Sequence, residues 1–205
     1  MENNDEWKVV RKSKQVKVPK NIIVEDKPKF SPKKLNPVVK NQEIGDKIEL
    51  SSTYVLWCHD IYNKDWSLSG YTKLCTISTV SEFWQFFNNM DKIGYKVNNF
   101  FLMKDGTDPT WEHVNNRDGG ICSFRTEIDS SLNIYQDLCV RMVCDILTLN
   151  MADINGISFS PKNNWAIIKI WNKDKHNDLS KTLDPVILDT YKDASIKYKE
   201  NEPEY

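Results

Sequence analysis

Short apolar runs of strand period alternate along this chain with stretches of helical period. Tyr54-Val55-Leu56-Trp57 reads as a strand, and a polar loop from His59 to Asp65 then delivers Trp66. Tyr71 to Ile77 is the expected partner strand. Thr79-Val80-Ser81-Glu82 has the form of a capping box, in which a hydroxyl and a carboxylate satisfy each other's backbone N–H groups. Val80, Phe83, Trp84 and Phe87 follow as one helical stripe. Asn98 to Lys104 is strand-like and stops at the Asp105-Gly106 turn. Gly119-Gly120 leads into a strand from Ile121 to Arg125. Ile134, Leu138, Met142 and Ile146 recur every four residues and predict a helix from about Ser131 to Leu147, with Ser or Asp at its cap. Gly156–Ser160 and Trp165–Trp171 form a hairpin about the turn Pro161-Lys162-Asn163-Asn164. Asp184-Pro185 caps a short helix to Tyr191, and Ser195–Lys199 is a last strand. Hairpins with helices between them predict an α+β fold, a mostly antiparallel sheet with helices packed on one face.

Charge divides the chain in two. Residues 1–40 carry 11 Lys/Arg against 5 Asp/Glu; the totals of 28 and 29 leave 17 against 24 for the rest. Residues 1–47 are rich in Lys, Pro and Asn without a sustained period, which predicts a basic, disordered tail. Residues 48–205 are then one acidic domain. Such a domain is not a general nucleic-acid binder, because phosphate neutralisation needs a basic face. Any nucleic-acid contact is focused on a small site.

Five cysteines, Cys58, Cys75, Cys122, Cys139 and Cys144, show no CxxC pair, and only three histidines are present. Reduced, packed thiols and no zinc are the expectation. No apolar run has signal-peptide or membrane-span length. The reading is a soluble, cytoplasmic protein that needs no metal or cofactor and is monomeric on its own.

Trp66 and Trp111 fall in predicted loops, and Glu112 directly follows the second. A large apolar ring is costly to leave in a loop, and one that is not core is often a binding surface. Two flat rings and one acid suit a flat, cationic heterocycle with N–H donors.

The order Trp57, Trp66, Thr79–Trp84, Lys104-Asp105-Gly106…Pro109-Thr110-Trp111-Glu112, Gly119-Gly120 and Ile170-Trp171 resembles the eukaryotic translation initiation factor 4E family. The likeness spans about residues 50–200. It implies a curved sheet with helices on its convex face, and a site for the 7-methylguanosine cap of mRNA. By that resemblance Trp66 and Trp111 sandwich the base and Glu112 accepts its N1–H and N2–H₂. Trp171 packs near the N7 methyl group, and Lys162 matches a phosphate-binding arginine. Two usual cations are missing, since Ile121 and Ile167 stand in their places. By period two Arg125 shares a face with Ile121, and Lys169 with Ile167, so both are candidate phosphate ligands. Lys173 and Lys175 lie in the following loop.

The resemblance also implies a scaffold or repressor partner carrying a helical Tyr-x-x-x-x-Leu-type motif. Val80, Trp84, Asp137 and Val140 match that surface. Gln136 stands where an apolar residue is usual, and Ile48-Glu49 where His-Pro is usual, so altered partner specificity is expected. The alternative function is a regulatory protein of the same fold that binds an altered cap or sequesters translation partners. Read without the family, Trp57 is a core residue and Trp84 is as readily core as not, so only the resemblance puts Trp84 on the partner face; Trp165 matches no family role. Glu112-His113 could be an acid–base pair, but no third group completes a catalytic set, so no enzyme is expected.

Overall fold

The computed structural model describes residues 48–202. The basic tail expected over residues 1–47 lies outside them. Among the described residues seven strands form one sheet: β1 (Glu49–Asp60), β2 (Thr72–Thr79), β3 (Asn98–Lys104), β4 (Gly120–Glu127), β5 (Ile154–Pro161), β6 (Trp165–Asn172) and β7 (Ser195–Glu200). Their order is β2-β1-β3-β5-β6-β4-β7, and every neighbouring pair is antiparallel. The helices are α1 (Val80–Phe87), α2 (Met90–Ile93), α3 (Ile128–Val143), α4 (Leu179–Thr182) and α5 (Pro185–Thr190).

Strand alternation sorts the side chains between two faces. On β6, Ala166, Ile168 and Ile170 enter the main core with Tyr135, Leu138, Cys139 and Met142 of α3. Phe100 and Leu102 of β3 join them, as do Phe83, Phe86 and Phe87 of α1. Each such side chain taken fully out of water contributes about 1.5–3 kcal/mol, so this face carries most of the stability. The intervening residues face the other way. Phe101 and Met103 of β3, Ile121 of β4 and Trp171 of β6 form a second, smaller cluster, against which Trp57 and Tyr71 pack. That helix-free face carries the site.

The capping box forms as the sequence predicts. Glu82 N–H donates to Thr79 Oγ1 at 3.3 Å, and the Glu82 carboxylate accepts from Thr79 N at 3.0 Å and Ser78 N at 2.7 Å. Asp184 likewise caps α5 by accepting from Val186 N. Two predicted boundaries move. α3 starts at Ile128, directly from the end of β4, and its N-cap Glu127 makes no side-chain cap bond. It ends at Val143, which leaves Ile146 outside it and 53% exposed. The predicted loop at His59 is instead the end of β1: His59 pairs with Asn99 of β3 and is buried. A polar sequence there concealed a ring with an aromatic neighbour. Among the described residues no helix is long and apolar enough to cross a membrane.

Candidate cap-type binding pocket

Trp66 is carried by a loop held together by its own polar groups. The Asp65 carboxylate accepts from Ser67 N, Ser67 Oγ and Ser69 Oγ at 2.6–3.0 Å. These bonds hold its pKa below the ordinary carboxylate value. Asn63 Nδ2 donates to Gly70 O at 3.2 Å and closes the loop. Gly70 is required here, because a Cβ would collide with the Asp65 carbonyl. Beneath the indole lies His59, stacked 4.0 Å away at 9°, its Nε2 2.8 Å from the Asp65 carbonyl. A carbonyl only accepts, so Nε2 carries the proton and Nδ1 is left buried without a partner. Tyr71 meets the edge of Trp66 and the edge of Phe101, linking the loop to the sheet.

Trp111 and Glu112 sit on the opposite wall, in the β3–β4 connection. Gly106 takes the left-handed conformation, φ 79°, at the first turn. The rest is organised by Asn116, which is fully buried. Its Nδ2 donates to the carbonyls of Asp108 at 2.9 Å and Thr110 at 2.7 Å. Its Oδ1 accepts from Asn155 Nδ2 at 2.8 Å, and its carbonyl accepts from Asn201 Nδ2 at 2.7 Å. The backbone immediately before Trp111 is thus tied to β5 and to the end of β7. His113 Nδ1 accepts the Asn115 N–H at 3.2 Å, so that ring is part of the loop.

Between them lies a cavity of about 400 Å³ lined by Trp66, Trp111, Glu112, Lys162 and Lys169. Trp66 is 53% and Trp111 42% exposed, which is unusual for indoles in ordered loops and leaves ring surface open to a ligand. Trp171 is buried in the floor, its Nε1 donating to Ser158 Oγ at 3.0 Å. Tyr71, Phe101, Asn99, Ser160 and Ile167 are also in the lining. Among the described residues Glu112 has no hydrogen-bond or ion-pair partner, and its charge adds to burial in raising the Tyr71 pKa. Lys169 Nζ lies 6.0 Å from the centre of the Trp111 ring. Burial, and then the charge of Lys162, lower its pKa. The pocket therefore carries one carboxylate and two lysines.

The profile of the family "Eukaryotic initiation factor 4E" matches residues 49–204, three-quarters of the chain. The chain belongs to that family. It is 28% identical over 152 residues to eukaryotic translation initiation factor 4E of Candida albicans, covering 69% of this chain and 72% of that one. The factor 4E of Dictyostelium discoideum is 29% identical over 109 residues, 52% of this chain and 43% of that one. Among solved structures, C. elegans eIF4E-3 in complex with the 4E-binding protein Mextli and a cap analog has the same fold. Its TM-score is 0.66 at 19% identity, covering 75% of this chain and 92% of that one.

Against this 4E-family background the pocket brings together Trp66, Trp111, Glu112, Trp171, Lys162 and Lys169. Arg125 is not among its lining residues. The Arg125 guanidinium lies 4.3 Å over the ring of Trp165, in a separate groove at the outer end of β4 and β6. The period-two reading of its face is sound, but that face is long, and a neighbouring indole holds the cation at its far end. Ile121 is 6% exposed within the Phe101–Trp171 cluster. It offers the pocket no charge at that place. Lys175 is turned towards Glu200, at 3.9 Å.

The proposed partner surface lies on the helices of the other face. Trp84 is 38% exposed and packs edge-on against Phe83, while α1 meets α3 through Phe87 and Tyr135. Val80, Asp137 and Val140 are partly exposed. The Asp137 carboxylate is already engaged through Oδ2, accepting from Arg141 Nε at 2.9 Å and Tyr191 Oη at 2.7 Å. Residues that sequence reasoning missed are His59, Tyr71, Asn116 and Asn155. Only Asn116 had a local signal, its place in the conspicuous Trp111 loop, and nothing in sequence pairs it with Asn155 or Asn201.

Proposed function

We propose that this chain binds the 7-methylguanosine cap of mRNA and takes part in translation initiation by bringing capped mRNA to a partner protein. The observation that carries this reading is two half-exposed indoles and an unpartnered carboxylate in one cavity that two lysines also line. N7 methylation makes guanine a delocalised cation. Stacking on each indole contributes roughly 1–3 kcal/mol, and cation–π attraction adds about 1–2 kcal/mol when desolvated. Glu112 accepts the N1–H and N2–H₂ pair in a charge-assisted bidentate contact, which separates guanine from adenine. Trp171 underlies the methyl group. Lys162 and Lys169 take the triphosphate.

The partner is a protein with a helical Tyr-x-x-x-x-Leu-type motif, docking on Val80, Trp84, Asp137 and Val140. The complex of C. elegans eIF4E-3 with a 4E-binding protein supports this class of partner. A second reading, a regulator that binds an altered cap or sequesters partners, draws on Ile121 and Ile167, which leave the phosphate end with fewer cations than the family pattern. Titration of the tryptophan fluorescence with 7-methyl-GTP tests the first reading. Saturable quenching that is lost in Trp66→Ala, Trp111→Ala and Glu112→Ala supports it; quenching unchanged in all three refutes it.

A further inference from the structure

Tyr71 is the last residue of the Trp66 loop before β2, and its N–H donates to the Leu68 carbonyl at 3.2 Å. Three rings hold its own ring. His59 lies 4.9 Å away, Phe101 5.2 Å and Trp66 6.2 Å, each tilted or edge-on. Among the described residues the Tyr71 hydroxyl makes no hydrogen bond, so these contacts alone fix it. It is not sealed in, as is the indole N–H of Trp57, which packs on the same cluster. Tyr71 instead lines the cavity of Trp66, Trp111 and Glu112. The three ring contacts would serve a phenylalanine equally well, and a phenol packed in this way ordinarily finds a partner for its O–H.

Glu112 is the other unpartnered group that the cavity needs satisfied. Burial, and then the Glu112 charge, raise the Tyr71 pKa, so the phenol keeps its proton and offers a donor, while the carboxylate only accepts. The two do not bond to each other. A flat ligand that satisfies both presents N–H donors to Glu112 and, beside them, an acceptor to Tyr71. Guanine has that order of groups. Its N1–H and N2–H₂ lie side by side, with O6 next to the first and N3 next to the second. On whichever side of the carboxylate the phenol lies, the next guanine atom is an acceptor. Adenine offers Glu112 no N1–H and carries an amino group in place of O6.

We infer that Tyr71 is a specificity-determining residue of the base site, its hydroxyl donating to O6 or N3 of the guanine whose N–H groups Glu112 accepts. The inference rests on the cap-binding reading and adds a side-chain donor to its side-chain acceptor. It also gives the Trp66 loop a second task, since the loop that carries one stacking ring then carries a reader of the base as well.

Equilibrium titration of the full chain and of Tyr71→Phe tests this, with 7-methyl-GTP and two analogues as ligands. The substitution removes the hydroxyl and keeps the ring that packs on His59, Phe101 and Trp66. The expected result is about fivefold weaker binding of 7-methyl-GTP, the worth of one neutral hydrogen bond. That penalty disappears with at least one of the analogues: 3-deaza-7-methyl-GTP, which has C–H in place of N3, or 7-methyl-6-thio-GTP, whose sulfur is a poor acceptor. A merely structural role for Tyr71 would weaken all three ligands alike. Equal affinity of the two proteins for 7-methyl-GTP, or an equal loss with all three ligands, overturns this inference alone. A wild-type protein that fails to bind 7-methyl-GTP overturns the cap-binding reading and this inference with it.

Discussion

His59 lies face to face with Trp66, their ring centroids 4.0 Å apart and their planes 9° from parallel. One face of the indole is thus backed by the sheet, and the other is left for a ligand. Because His59 is buried and donates to the Asp65 carbonyl, it fixes both the ring and the loop that carries it. His59→Ala should weaken 7-methyl-GTP binding about fivefold, the worth of about 1 kcal/mol for one aromatic pair. His59→Phe, which keeps a flat ring beneath the indole, should stay within about twofold of wild type on the same scale. A fluorescence titration of the three proteins checks this; equal loss in both variants would mean that the stack does not position Trp66.

Asn116 governs the opposite wall. Truncation to alanine removes the donor to the Asp108 and Thr110 carbonyls and leaves Asn155 Nδ2 without its Asn116 partner. A buried polar group left unpaired costs about 1–3 kcal/mol. Asn116→Ala should therefore lower the thermal midpoint and weaken cap binding together, since the same bonds order the backbone before Trp111. A variant that melts like wild type would show that the loop is held by other contacts.

The capping box of α1 gives a prediction at acid pH. Burial raises the Glu82 pKa, but hydrogen bonds from Ser78 and Thr79 outweigh it, and the net shift is downward. A carboxylate depressed in the folded state stabilises the protein above its unfolded pKa, about 4.3. That stability is lost as pH falls through the lower folded value. Denaturant unfolding of wild type and Glu82→Gln should differ at pH 7 and converge towards pH 3. Thr79→Ala should cost about 1 kcal/mol, the usual worth of an N-cap.

Lys169 supplies the alkaline counterpart. Burial and the charge of Lys162 hold its pKa below the ordinary lysine value. Its cation is present below that lowered pKa and is lost as pH rises through it, earlier than for an exposed lysine. Triphosphate affinity should then fall more steeply between pH 8 and pH 10 (roughly the span below the ordinary lysine pKa) in wild type than in Lys169→Arg. A guanidinium keeps its proton throughout that range. Parallel pH profiles for the two proteins would place the phosphates elsewhere.

Much of the fold was legible because period and capping act locally. The Thr79–Glu82 box, the strand Asn98–Lys104, the hairpin about Lys162 and the Asp184 cap are all decided by neighbours in sequence. Trp66, Trp111 and Glu112 stood out because indoles in loops are conspicuous. What escaped depends on residues distant in sequence. His59 looks like loop polarity until Asn99 pairs with it and Trp66 covers it. Asn116, Asn155 and Asn201 are ordinary asparagines until the fold brings them together. Arg125 shares its face with Ile121, but period two does not say how far along the face a flexible cation settles, and Trp165 decides that. The start of α3 has no local signal, because β4 runs into it without a turn.

Cap binding turns on the selection of a cationic base by the two indoles. Isothermal titration of the wild-type chain with 7-methyl-GTP and with GTP measures it directly, since the ligands differ by one methyl group and the positive charge it creates. Cation–π attraction at two faces predicts that the methylated nucleotide binds at least tenfold more tightly, a difference of about 1.4 kcal/mol or more. Equal affinity for the two nucleotides would mean that the indoles do not select the cation.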